Sequence, residues 1–413
     1  MEGKLKNLFG LMAALTVLTG CHRNFSVDTV PPGIVEREAT SLEKSLAVAD
    51  NQFGFRLFHQ LNIEAADSNC FISPFSVSMA LGMTLNGAAG ETEQAMRRTL
   101  ELTGLTQDEI NETYRSLMEL LPCQDAGVRF QIANSIWYRE NYPVQDTFID
   151  VNQTFFNAAI REMDFSRPDA KDIINEWILQ NTGGRIKKAL DFIPPEIVMY
   201  LINAIYFKGA WLFEFDPQNT YAADFTTPYG SRTCQMMSHP EATLMYFRTD
   251  DFQAVDLPYG NGKFSMSVFL PAAGLSVDDF ITQFTDTRWK QWIVRFDSTT
   301  IQLGLPKFKV EYGTLLNDVL TTMGMGVAFT GAADFSRINP GGGLYISRVI
   351  HKTFVEVNEE GTEAAAVTIV EMLESASPAT ARMIVDRPFV FVIWDHTTGA
   401  ILFIGKIVEP TLG

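Results

Sequence analysis

Side chains at Thr362, Ala364, Ala366, Thr368 and Val370 would share one face of an extended chain, while Glu363 and Glu371 would point the other way. The chemistry this spacing offers belongs to the backbone. Small or apolar groups on one face let a segment slide between two strands, form amide hydrogen bonds on both sides and force no charge inward. Exposed loops are usually richer in Gly, Pro, Asn and Asp than Thr368-Ile369-Val370-Glu371-Met372. The whole stretch Glu359-Glu360-Gly361-Thr362-Glu363-Ala364-Ala365-Ala366-Val367-Thr368 therefore reads as a loop able to become a strand. Taken alone, it also fits an edge strand or an Ala-rich helix end.

Side chains that act as catalysts or ligands are less well arranged. Cys70, Cys123 and Cys234 are sparse and odd in number once Cys21 is set aside, which does not suit a disulfide framework. The chain has five His but no HExxH and no CxxC beside them, so no metal and no cofactor are expected. No GxGxxG after a strand, no Walker A sequence and no GxSxG elbow is present, and the chain is not read as an enzyme. With 49 acidic residues, carboxylate pairs of the kind glycan hydrolases use arise by chance and decide nothing.

The elements around these residues belong to a mixed α+β protein. Helical periodicity runs through residues 75–121. Strand patterns occur at Val128 to Tyr138, where Ile132, Asn134 and Ile136 share a face, and at Val198 to Phe207, Phe264 to Leu270, Thr300 to Leu305 and Phe389 to Trp394. A chain of 413 residues that is 46 % hydrophobic and holds 31 Phe can build a large core, and no low-complexity linker divides its interior. The formal net charge of -17 argues against a nucleic-acid surface. The pairs Arg97-Arg98 and Lys187-Lys188 read as solvated faces beside acidic neighbours.

The first residues read as an export signal. Lys4 and Lys6 precede an apolar run from Leu8 to Leu18, too short to span a membrane with confidence. Leu18-Thr19-Gly20-Cys21 resembles a bacterial lipobox, in which the Cys21 thiol is acylated and becomes the first mature residue. Residues 1–20 are then a lipoprotein signal peptide and 21–44, with Pro31-Pro32-Gly33, a lipid-anchored tether. An exported lipoprotein held at the outer membrane or cell surface is expected.

The hinge-like stretch and four further segments resemble serpins, over roughly residues 45 to 411. The Glu359 to Thr368 stretch resembles the proximal hinge of a serpin reactive loop, and Phe71-Ile72-Ser73-Pro74-Phe75-Ser76-Val77-Ser78-Met79-Ala80-Leu81 the helix under the central sheet. Asn203-Ala204-Ile205-Tyr206-Phe207-Lys208-Gly209-Ala210-Trp211 resembles a signature strand. Asp386-Arg387-Pro388-Phe389-Val390-Phe391 and Leu402-Phe403-Ile404-Gly405-Lys406-Ile407 resemble the C-terminal strands. The resemblance implies one domain over 45–413, three β-sheets with about eight or nine helices, and an exposed reactive loop at about 359–385.

The resemblance also implies roles. Ser73, Ser76, Asn203 and His351 match a buried shutter that controls separation of the central strands. Trp211, Lys307 and Glu359 match the breach, where loop insertion begins. The implied activity is suicide inhibition of a serine protease, or of a cysteine protease, through a covalent acyl complex. Counting from Gly361 places the reactive bond between Ser375 and Ala376, with Leu373 and Glu374 as alternates. Small residues there point to elastase-like or subtilisin-like targets. Cleavage after Arg382 would suit trypsin-like enzymes but lengthen the inserting strand. A monomer is expected, with the lipid anchor as its membrane contact. A non-inhibitory member acting as a binding or storage protein is the alternative; bulky inward hinge residues would mark it, and Thr362, Ala364 and Ala366 are small.

Overall fold

In the computed structural model, which describes residues 37–362 and 381–411, the first helix starts where its sequence dictates. Thr40 accepts from the Glu43 amide while the Glu43 carboxylate accepts from the Thr40 amide at 2.7 Å. This reciprocal cap satisfies two amides that have no intrahelical partner. Arg37 and Ser116 also bind Glu43. Burial pushes the Glu43 carboxyl up, but these donors prevail and bring it down to about 2. Residues 37–44 thus belong to the folded body, which begins earlier than the expected boundary at 45.

The described elements follow in order. α1 (Ser41–Glu64) leads to β1 (Cys70–Ile72), and the periodic stretch 75–121 becomes α2 (Pro74–Leu85), α3 (Gly90–Thr99) and α4 (Gln107–Leu120). Next come β2 (Val128–Arg139), α5 (Asp146–Phe156), β3 (Ala159–Met163), α6 (Ala170–Asn181) and β4 (Met199–Ala210). β5 (Tyr221–Thr227), β6 (Gly230–Arg248), β7 (Phe252–Tyr259) and β8 (Phe264–Pro271) precede α7 (Val277–Ile281) and α8 (Asp286–Ile293). The rest comprises β9 (Asp297–Pro306), β10 (Phe308–Leu315), α9 (Asn317–Leu320), β11 (Ile350–Asn358), β12 (Gly361–Thr362), β13 (Ala381–Ile384), β14 (Phe389–Asp395) and β15 (Ile401–Ile407).

These strands form a six-stranded sheet, ordered β10-β11-β12-β4-β2-β3, and a nine-stranded one, ordered β1-β15-β14-β8-β7-β6-β9-β13 with β5 on β6. The second and third expected sheets are joined into one ladder. β6 pairs with β5 through its first half and with β7 through its end, while β9 runs along both parts. A register shift between His239 and Ala242 bends β6 and lets one strand serve both regions.

The core lies between the sheets. β14 and β15 are buried at every position, as their largely apolar runs require. α2 is buried everywhere but Ala80 and packs between β4 and β15. The other face of the six-stranded sheet carries α6, whose Ile174 and Ile178 join Trp137, Phe165 and Tyr200 in a second cluster. Cys70, Cys123 and Cys234 are buried and form no disulfide among the described residues.

Lys406 is the one basic residue in β15, and it is fully buried. Its ammonium donates to the carbonyls of Ala65 and Ala66 beyond the end of α1 and to Asp278 at 2.9 Å. It caps a helix end whose carbonyls lack intrahelical partners. Lys406→Met is expected to leave the Ala66 carbonyl and Asp278 without this donor and lower stability by about 2–4 kcal/mol, read as a shift of the urea midpoint. An unchanged midpoint would show that water replaces the ammonium.

Candidate functional site

The end of β11 turns back on itself at Asn358, whose side-chain oxygen accepts from the amides of Glu360 and Gly361 at 3.0 and 3.2 Å. This turn lays Gly361 and Thr362 antiparallel to β11, as β12. On their other side the same two residues pair with Ala210 and Gly209 of β4. The start of the segment read as convertible from loop to strand is therefore already within the sheet. Only glycine fits at 361: its φ is +150°, and an added Cβ would lie 2.1 Å from the Gly209 carbonyl oxygen.

Aromatic and charged side chains hold this turn. Trp211 donates through its backbone to the Glu360 carbonyl and through Nε1 to the Asn358 carbonyl, both at 2.9 Å. Its ring stacks on Tyr259 with centroids 4.4 Å apart. Tyr259 in turn shares a 2.6 Å hydroxyl–hydroxyl hydrogen bond with buried Thr362. Lys307 Nζ meets Glu359 Oε2 at 2.8 Å, and Thr220 donates to the other Glu359 oxygen at 2.8 Å. Burial pushes the Glu359 carboxyl up, but Lys307, its own backbone and Thr220 hold it below the usual carboxylate range. With side-chain exposures of 27 % and 12 %, this pair is more enclosed than the solvated kind that contributes almost nothing. Trp211, Lys307 and Glu359 thus converge as expected, but Tyr259, Thr220 and Phe215 complete the group and carry no sequence signal for it.

Below β12, β4 and β11 do not pair with each other among the described residues. A cleft of about 390 Å³ separates them, lined in part by Ser76, Leu201, Asn203, Ile350 and His351. Polar contacts anchor both of its walls. Ser73 caps α2 and donates its hydroxyl to the Leu402 carbonyl at 2.7 Å, while its amide donates to His351 Nε2 at 3.0 Å. Ser76 donates to Asn203 Oδ1 at 2.5 Å, and Asn203 donates to Asn134 Oδ1 at 2.8 Å. Asn134 passes the chain on to the Phe156 carbonyl. The four residues expected to form a shutter therefore make two arms on α2, one reaching β11 and the other β4 and β2. They are not one closed ring.

His351 is fully buried and acts here as an acceptor, so the proton of the neutral ring lies on Nδ1. Burial brings its pKa down to about 4. Its contribution to stability is present in full above the unfolded value of about 6.5, declines as pH falls and is gone below the folded value. Buried Asp50, raised to about 7 by desolvation against hydrogen bonds from Ser78 and Tyr114, acts with the opposite sign across that window. A His351→Gln variant keeps an acceptor for Ser73 and leaves Asp50 in place. The stability difference between wild type and this variant is expected to shift by about 3 kcal/mol against the wild type from pH 7 to pH 4. Urea midpoints across that range measure it, and a constant difference would contradict it.

Other expectations fall partly outside the described residues. Cys21, Glu363, Ala364, Ala365, Ala366, Leu373, Glu374, Ser375 and Ala376 lie there. The expected loop bounds of 359–385 narrow at both ends. Glu359 and Glu360 form the turn, Gly361 and Thr362 are in the sheet, and Ala381–Ile384 pair in parallel with Ile301 to Gly304. Arg382 lies in that strand, its Nε 3.2 Å from Gln302 Oε1, and is not a loop residue open to cleavage. Of the basic pairs, Arg97 and Arg98 bind Glu93 and Glu91, and Lys188 binds Asp191.

Known proteins match along nearly the whole chain. A family profile described as serpin (serine protease inhibitor) matches residues 48–410. An uncharacterized serpin-like protein of Thermococcus kodakarensis is 32 % identical over 399 residues, covering 95 % of this chain and 92 % of the relative. Intracellular coagulation inhibitor 2 of Tachypleus tridentatus is 33 % identical, covering 91 % of this chain and 93 % of the relative. The native-state crystal structure of the thermophilic serpin tengpin superposes with a TM-score of 0.80 at 32 % identity, over 92 % of this chain and 97 % of that one.

Proposed function

The chain belongs to the serpin family, and on that footing we propose that it is a suicide inhibitor of a serine-type endopeptidase. The observation that carries this reading is the split sheet: β4 and β11 are held apart by two inserted residues above and a cleft below. A further strand starting from Thr362 would fill that space with backbone hydrogen bonds on both sides. Glycine at 361 and a small threonine at 362 suit such entry.

In this mechanism the protease serine Oγ attacks the carbonyl carbon of the reactive bond. The C–N bond breaks, the new amine takes a proton from the protease base and leaves, and an acyl ester joins the two proteins. Insertion of fourteen or fifteen residues at about 3.3 Å each then carries the protease on the order of 50 Å. Distortion that removes one oxyanion donor raises the deacylation barrier by about 2.7–4 kcal/mol, so hydrolysis stalls. We place the reactive bond at Ser375–Ala376, with Glu374 and Leu373 as alternates, and the target among elastase-like or subtilisin-like enzymes. Acylation at Cys21 would hold the inhibitor at the cell surface, and a monomer suffices for the mechanism.

The test incubates the soluble form with elastase-like, subtilisin-like and trypsin-like proteases, followed by denaturing gels and mass spectrometry. A covalent band at the summed mass and a released peptide beginning at Ala376 are expected. Cleavage without any covalent band, across the panel and at excess inhibitor, would contradict the mechanism.

A further inference from the structure

His239 lies at the bend of β6, directly beneath the turn that seats the hinge. It is 7 % exposed, and its Nε2 has no hydrogen-bond partner among the described residues. Its ring stacks on Phe215 with centroids 4.1 Å apart and planes 25° apart. The Phe215 amide donates to the Glu359 carbonyl at 2.9 Å, and the Phe215 ring packs edge-on against Trp211. Trp211 holds the carbonyls of Asn358 and Glu360 and stacks on Tyr259, which holds Thr362. An unbroken run of rings from His239 to Tyr259 therefore supports the backbone from Asn358 to Thr362.

A neutral imidazole is the form this pocket accepts. Protonation would add a charge and a new N–H donor at Nε2, where nothing accepts it. Charged groups on the surrounding elements are Glu241 on β6, Lys307 after β9, Glu214 and Asp216 in the segment after Trp211, and Glu359 in the turn. Lys307 and Glu359 bind each other. Burial lowers the affinity of the ring for a proton, and the Phe213 backbone restores only part of it. Once the stack opens, the ring meets water and recovers an ordinary affinity near pH 6.5. Acid therefore favours the open form.

We propose that His239 makes the seating of the hinge acid-sensitive: its protonation separates the ring from Phe215, the turn at Glu359–Glu360 loosens, and Gly361 and Thr362 then leave the sheet. The proposal rests on reading these residues as the hinge of an insertable loop. Its test does not depend on protease inhibition.

Hydrogen exchange of the full chain, corrected for intrinsic rates, would be followed by mass spectrometry between pH 7.5 and 5.5. Protection of peptides covering residues 209–216 and 357–362 is expected to fall about tenfold per pH unit below pH 6.5. His239→Phe keeps an aromatic ring on Phe215 without a titrating group, and His239→Gln removes both; in each, protection should not vary with pH. Flat wild-type protection, or the same fall in either variant, would overturn the proposal. Absence of covalent trapping in the protease panel would instead sink the functional reading and leave the exchange result standing.

Discussion

A Thr362→Arg variant is expected to be cleaved as a substrate by the protease that the wild type traps, with the covalent complex reduced at least tenfold. Thr362 is 2 % exposed, lies between Val357 and Gly209, and shares its hydroxyl proton with Tyr259. Burial keeps the Tyr259 phenol neutral, so it offers no counter-charge. A guanidinium at that place costs several kcal/mol without a partner. The hinge would stay outside the sheet, and insertion would lose its starting point. Each 1.4 kcal/mol added to the insertion barrier slows it about tenfold, which leaves the acyl ester time to hydrolyse. Thr362→Ser keeps the hydroxyl and should trap normally. Denaturing gels at graded inhibitor-to-protease ratios measure the partition, and undiminished complex formation by the Arg variant would refute the role given to this residue.

The second large effect is expected at Asn203. Its side-chain contacts tie β4 to α2 through Ser76 and Met79 and to β2 through Asn134. Asn203→Ala leaves the Ser76 hydroxyl and the Asn134 carbonyl oxygen without these partners beside the cleft. At about 1–3 kcal/mol for each orphaned group, the native state should lose about 2–5 kcal/mol. Loss of trapping activity on warming should also be faster than in the wild type, because β4 is freer to separate from the layer beneath it. Urea midpoints and residual covalent trapping after timed incubation measure both. A variant matching the wild type in both would show that water or neighbouring groups replace the network.

Much of this architecture is legible in local residue patterns. Alternation marks β2 and β4, largely apolar runs mark β14 and β15, and Ser73 ahead of Pro74 marks the start of α2. Asn134 between Ile132 and Ile136 on one face of β2 is a polar residue at a buried position, and such a residue needs a partner. That signal could have led to the second arm reaching β4 and β2, although neither Asn203 nor Phe156 is its sequence neighbour. Tyr259 gave no comparable sign. It ends an ordinary strand, and its role arises because β7 and the turn after β11 meet Trp211 from opposite sides. The joining of two expected sheets was hidden for a related reason: Pro240 cannot donate to a strand ladder, and only pairing with distant β9 shows that a bulge carries β6 through it. The loop ends were also drawn too wide, because strand pairing of Gly361–Thr362 and Ala381–Ile384 depends on partners far away in the chain.

The central claim is that residues beyond Thr362 enter the cleft between β4 and β11 once the loop is cut. Thermal unfolding of the intact chain, compared with chain nicked in the loop by a trace of protease, tests it without the physiological target. An inserted strand with hydrogen bonds to both neighbours should raise the unfolding temperature by on the order of 20 °C or more. An equal or lower unfolding temperature after cleavage would mean that the loop stays outside the sheet, and the inhibitory mechanism would fall with it.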